Sequence, residues 1–162
     1  KILVEQAVSQ LQATSAALAA LRNEMQSLAA SLPEYPIVMG MFGVGPALGP
    51  QLMAEIGDVR RFHSKKALVA FAGIDAPPYQ SGQMEIRSRS ISKRGSAVLR
   101  RTLFLVMSAV LRCSPADEPV YQFMDRKRIE GKPYRVYMMA SANKFLRIYY
   151  ATVKQYLDSL EA

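Results

Sequence analysis

"KILVEQAVSQLQATSAALAALRNEMQSLAASL", residues 1–32, decides how this chain begins its fold. Val4, Leu11, Leu18, Met25 and Leu32 recur every seven positions, and Ala7, Thr14, Leu21 and Leu28 fill a companion seam. A seven-residue apolar repeat held over four heptads predicts one long helix with coiled-coil periodicity. The flanking positions are mostly Gln, Ser and Ala, so charge pairing that would set partner and orientation is weak. The same pattern also suits an amphipathic helix folded back on its own domain. The expected arrangement is a dimerisation helix over residues 1–35 and a compact helical domain over 36–162, a mainly α fold.

Working outward, Pro33 and Pro36 stop the helix. The next block, "PIVMGMFGVGPALGPQLMAEIGD", has Gly43-Val44-Gly45 followed by Pro46 and an apolar helix expected to end at Ile56 and be capped by Gly57. This resembles a helix-hairpin-helix element, in which Gly43 and Gly45 would shape a turn and backbone N–H groups would hold a phosphate. A plain helix–turn–helix connection with glycine at positive φ reads equally well. Ser64 is a good N-cap for a short helix through Phe71, ended by Gly73. Further helices are expected from Gly95 to about Cys113, from Glu118 to Ile129 and from Tyr134 to Leu160. Val98, Leu99, Leu103, Val106 and Val110 would share the inner face of the first, and Tyr137, Met138, Ala142, Phe145, Leu146, Tyr149, Val153 and Leu157 that of the last. Arg135, Lys144, Arg147 and Lys154 lie off that stripe.

The 162 residues carry a net charge of +8, which favours a polyanionic partner such as DNA or RNA. No apolar run approaches the roughly 20 residues that span a bilayer, so no membrane partner is expected. The single cysteine, Cys113, reads as a small buried residue and excludes an internal disulfide. His63, the one histidine, reads as a turn or surface residue, and no Cys–His cluster offers a metal site. A chain that starts at Lys1 without a secretory signal reads as a piece of a longer cytoplasmic protein.

Charge concentrates in "YQSGQMEIRSRSISKRGSAVLRR", residues 79–101, with five serines and six Lys or Arg against one acid, Glu85. Pro77 and Pro78 force an extended entry, and Met84 and Ile86 alternate with polar residues, so a short β-hairpin or extended arm is expected. Arg87, Arg89, Lys93 and Arg94 would stand near the N-terminus of the helix after Gly95, a setting that suits phosphate oxygens. The residues alone do not choose among the serines; Ser92 or Ser96 also fits as a cap for that helix.

In order, the blocks "GVGPALGPQLMAEIGDVRRF", "ALVAFAGIDAPPYQSG", "ISKRGSAVLRRTLF" and "GKPYRVYMMASANKFLRIYYATVK" resemble the C-terminal domain of the Piv/MooV-type transposases. This is the insertion-sequence one-ten family of bridge-RNA-guided DNA recombinases, and the likeness covers about residues 37–156. It implies that Ser81 is a nucleophile on a DNA phosphodiester, forming a covalent 5′-phosphoserine link. It implies an N-terminal RuvC-like domain with acids that hold Mg²⁺, so this chain would bind no cofactor itself and be inert alone. It implies DNA and guide RNA as partners, and by inference from their charge Arg87, Arg89, Lys93, Arg94, Arg100 and Arg101 would position them. The long first helix matches the family's coiled-coil segment, so oligomerisation through residues 1–35 is expected. The place of action would be the cytoplasm of a bacterium or archaeon, at the nucleoid. The alternative is a non-enzymatic helix-hairpin-helix module that binds nucleic acid and dimerises, with Ser81 a turn residue.

Overall fold

The computed structural model describes residues 1–76 and 90–161, with residues 80–81 and 84–85 described by their backbone alone. The chain runs α1 (Ile2–Ala30), α2 (Tyr35–Met39), α3 (Leu48–Ile56), a 3-10 turn (Val59–Arg61) and α4 (Lys65–Phe71). It continues through β1 (Gln80–Ser81), β2 (Met84–Glu85), α5 (Ala97–Cys113), α6 (Pro119–Ile129) and α7 (Tyr134–Leu160). The fold is therefore mainly α, with one antiparallel two-strand ladder pairing Gln80 with Glu85 and Ser81 with Met84.

Helix α7 is the central post, packing against α2, α4, α5, α6 and the 3-10 turn. All eight residues expected on its inner stripe are buried, because every third or fourth position falls on one face. Leu99, Leu103, Val106 and Val110 form the matching stripe of α5. Val98 does not join them and is 56% exposed. It stands roughly 100° around the helix from Leu99, off the Leu99–Leu103–Val106 line. Glu118 caps α6 by accepting from the Tyr121 N–H at 2.6 Å, with Pro119 at the first helical position. Burying side chains such as Leu52, Leu103 and Leu146 completely stabilises this core by about 1.5–3 kcal/mol each.

Only the C-terminal end of α1 touches the domain, against α2 and α3, where Ala29 is buried. Residues 1–24 are exposed throughout, including Leu11 at 68% and Leu21 at 65%. The helix therefore does not fold back along the domain. Cys113 corrects its sequence reading: it is exposed, since α5 ends there and Ser114 turns into the left-handed region at φ 47. No helix among the described residues is long and apolar enough to cross a membrane.

Candidate functional site

The arm that carries Ser81 leaves the domain at the end of α4 and returns at the start of α5. Ser64 opens α4 by accepting from the Ala67 N–H at 3.2 Å, and Gly73, at φ +65, ends its last turn. A helix end leaves carbonyl oxygens without helical partners. Here the returning strand of chain supplies them. The Ser96 N–H donates to the Phe71 carbonyl at 2.7 Å and the Lys93 N–H to that of Gly73 at 3.0 Å. Between them, Arg100 Nη1 donates to the Ala72 carbonyl at 3.0 Å.

One residue further out, the Ser92 N–H donates to the Asp75 carbonyl at 2.8 Å, and the Ser92 hydroxyl donates to the Asp75 carboxylate. The two legs are thus tied together at the base of the arm. Lys93 adopts φ 55, uncommon for a residue with a side chain, and is held there by these neighbouring bonds. Gly73 and Gly95 meet back to back: a β-carbon on Gly73 would lie 2.7 Å from the Gly95 nitrogen. Ser96 caps α5, accepting from the Leu99 N–H at 3.0 Å, and donates to Glu55 Oε2 at 2.7 Å, which couples α3 to the same junction. The block "ISKRGS" is therefore first a clasp and only then a source of charge.

This sorts the expected site residues. Lys93, Arg94 and Arg101 are exposed, whereas Arg100 is turned inward as a cap for α4. Arg87 and Arg89 lie outside the described residues. Ser81 is placed by its backbone in β1, and its side chain lies outside them. Gly43 sits elsewhere: a β-carbon there would lie 2.7 Å from Val110 Cγ2 and 3.0 Å from the Val106 carbonyl oxygen, at φ +81. That contact is about 15–20 Å along α5 from Ser96, so Gly43 does not join the arm. Nothing lies near the space a Gly45 β-carbon would take. The Gly45 carbonyl accepts from the Leu48 and Gly49 N–H groups, which opens α3. His63 is exposed, as expected.

Sequence reading missed two groups. Asp75, the partner of Ser92, carries no local signal. Lys66, Arg135, Lys144 and Arg147 line a groove together with Lys93 at the foot of the arm. The only hint in the sequence was that the last three avoid the apolar stripe of α7. Among the described residues no three His, Cys, Asp or Glu side chains come together as a metal site.

The model of the transposase IS116/IS110/IS902 family matches residues 35–122, from α2 into α6 and across the whole clasp. The chain is 34% identical over 134 residues to the pilin gene-inverting protein of Moraxella bovis, covering 82% of this chain and 38% of that protein. It is 26% identical over 153 residues to a "Probable family 20 transposase" of Pseudomonas aeruginosa, covering 94% of this chain and 45% of the relative. It is 32% identical over 90 residues to the transposase for insertion sequence element IS1111A of Coxiella burnetii, covering 56% of this chain and 24% of that protein. The chain thus spans less than half the length of these relatives. With the family model matching more than half of its residues, the chain belongs to the IS116/IS110/IS902 family of transposases.

Proposed function

We propose that this chain is the serine-bearing part of a DNA transposase or recombinase, and that Ser81 is the nucleophile. The observation that carries the reading is the clasped arm: β1 holds the Ser81 backbone opposite Met84, and Asp75–Ser92 ties the legs beneath it. A nucleophile whose backbone is already paired meets a substrate at lower conformational cost. Exposed Lys93 and Arg94 lie on the return leg and Arg101 in the second turn of α5, and they suit the phosphates flanking the cut. In the reaction the Ser81 hydroxyl oxygen forms a bond to phosphorus as the bond from phosphorus to the 3′ oxygen breaks. The serine proton is lost, and the departing 3′ oxygen takes one up. The strand is then held as a 5′-phosphoserine ester until a 3′ hydroxyl reverses the step.

Mg²⁺ belongs, on this reading, to acids of a RuvC-like part preceding this one. The described residues do not fit a metal, so no step is assigned to one here. DNA is the substrate and guide RNA the second partner, at the nucleoid. The exposed seam of α1 suits a second copy, which would bring two such arms to one pair of strands. The test is Ser81→Ala in the full-length protein, with adducts trapped on labelled DNA. We expect recombination and the covalent adduct to vanish while the protein still binds DNA. An adduct that persists removes Ser81 from the role. A wild-type protein that binds DNA but never forms an adduct leaves the non-enzymatic helix-hairpin-helix reading instead.

A further inference from the structure

The groove at the foot of the arm, about 1400 Å³ in volume, lies between α4, α6 and α7. Both legs of the arm border it, at Asp75–Ala76 and at Ser90–Ile91. Five cations line it: Lys66 from α4, Lys93 from the return leg, and Arg135, Lys144 and Arg147 from α7. Its one acid, Asp75, is already bonded by Ser92. None of the five cations forms an ion pair among the described residues, where acids pair with other Lys and Arg instead. Lys144 Nζ donates to the Pro119 carbonyl at 2.6 Å and keeps its charge. Cations without an acid partner that line one hollow repel each other and call for an anion.

Ile74, Ile91 and Met139 make the floor apolar, with the rings of Phe104 and Phe123 beside them. Lys144 Nζ lies 5.2 Å from the centroid of the Phe123 ring, and Arg126 and Lys127 also approach that ring. A double helix presents phosphates outward and has no use for an apolar floor. An unpaired strand brings phosphates and bare base faces together, and grooves for it combine cations with aromatic platforms. From Arg135 to Arg147 the cations run along about 18 Å of helix, room for about five stacked nucleotides at ~3.4 Å each.

We propose that this groove is a channel for an unpaired nucleic-acid strand, its phosphates on Lys66, Arg135, Lys144 and Arg147 and a base stacked on Phe123. That the strand is the one cut at the arm rests on the Ser81 reading; the channel itself does not. The test therefore uses the Ser81→Ala chain, so that loss of the nucleophile and loss of the channel are read separately. Fluorescence anisotropy would follow binding of labelled oligothymidylate and of a duplex of equal length over a salt series. Lys66→Gln, Arg135→Gln and Arg147→Gln together, all at exposed positions, should weaken oligothymidylate binding about tenfold or more and lower the salt slope by about 0.7 per lost contact. Phe123→Leu should weaken the single strand about fivefold or more and leave the duplex unchanged. An unchanged affinity in the triple variant overturns the channel. So does a Phe123→Leu effect equal on both probes, or displacement of the oligonucleotide by poly-glutamate of matched charge at equal concentration. Each variant is first checked by thermal unfolding; should Phe123→Leu fail to fold, the triple variant decides.

Discussion

Gly95 has no room for a side chain, because a β-carbon there would run into the Phe71 carbonyl and lie 2.6 Å from the Gly73 nitrogen. Neither neighbour is a flexible side chain that can swing away. Gly95→Ala must push the return leg off the end of α4, and with it the Lys93–Gly73 and Ser96–Phe71 hydrogen bonds. The expected cost is about 1–3 kcal/mol, towards the upper end, read as a lower midpoint in urea or thermal unfolding. An unchanged midpoint would mean that the legs are not clasped as described. Adjacent residues of one kind take different places here. Arg100 and Arg101 look alike in the block "ISKRGSAVLRR", yet neighbours on a helix point roughly 100° apart. One is consumed inside as a cap and the other faces solvent. Ser92 and Ser96 divide similarly: Ser96 caps α5, while Ser92 is spent on Asp75.

Among the elements, α1 and the arm mark opposite cases. The periodicity that predicts α1 is real, and the helix runs from Ile2 to Ala30. What its seam is for depends on contacts outside the helix, and the domain supplies them only near Ala29. Exposed leucines every seven residues are unfavourable unless covered, each burial being worth about 1.5–3 kcal/mol. Leu11→Glu with Leu18→Glu should therefore dissociate an oligomer to monomers in sedimentation equilibrium, while the unfolding midpoint of the helical domain stays unchanged. A wild-type chain that sediments as a monomer at every concentration would remove the seam from assembly. The arm, by contrast, carries the expected short hairpin pairing at Gln80–Ser81 and Met84–Glu85, while Pro77, Pro78 and Ile86 lie outside the described residues. Its clasp was not legible in the sequence, since a hydrogen bond between Ser92 and Asp75 leaves no periodic trace.

Taken whole, the molecule joins a nearly bare helix, a packed helical body and a cationic groove bordered by Asp75–Ala76 and Ser90–Ile91. Its net charge of +8 is not spread evenly, since five of its cations share one hollow. A chain with the proposed nucleophile but no metal cluster among its described residues should bind DNA without cutting it. We expect no strand cleavage by the isolated chain on supercoiled DNA with Mg²⁺, and cleavage once the full-length protein is supplied. Nicking by purified chain, lost in Ser81→Ala, would show that the serine needs no RuvC-like partner.

The sequence by itself determined the helices other than α2, the buried stripes of α5 and α7, most of the breaks and the basic character of the chain. Each of these is a property of near neighbours: a period of seven or of three to four, a proline, a capping serine. Only the tertiary structure decided that α1 stands free, that Arg100 turns inward, that Gly43 serves the packing of α5, and that Lys66 joins Arg147 across one groove. Those outcomes rest on contacts between distant positions. Arg100 reaches Ala72 over 28 residues, and Ser96 reaches Glu55 over 41. Such pairings follow from how the packed helices bring chain segments together, and no local pattern encodes them.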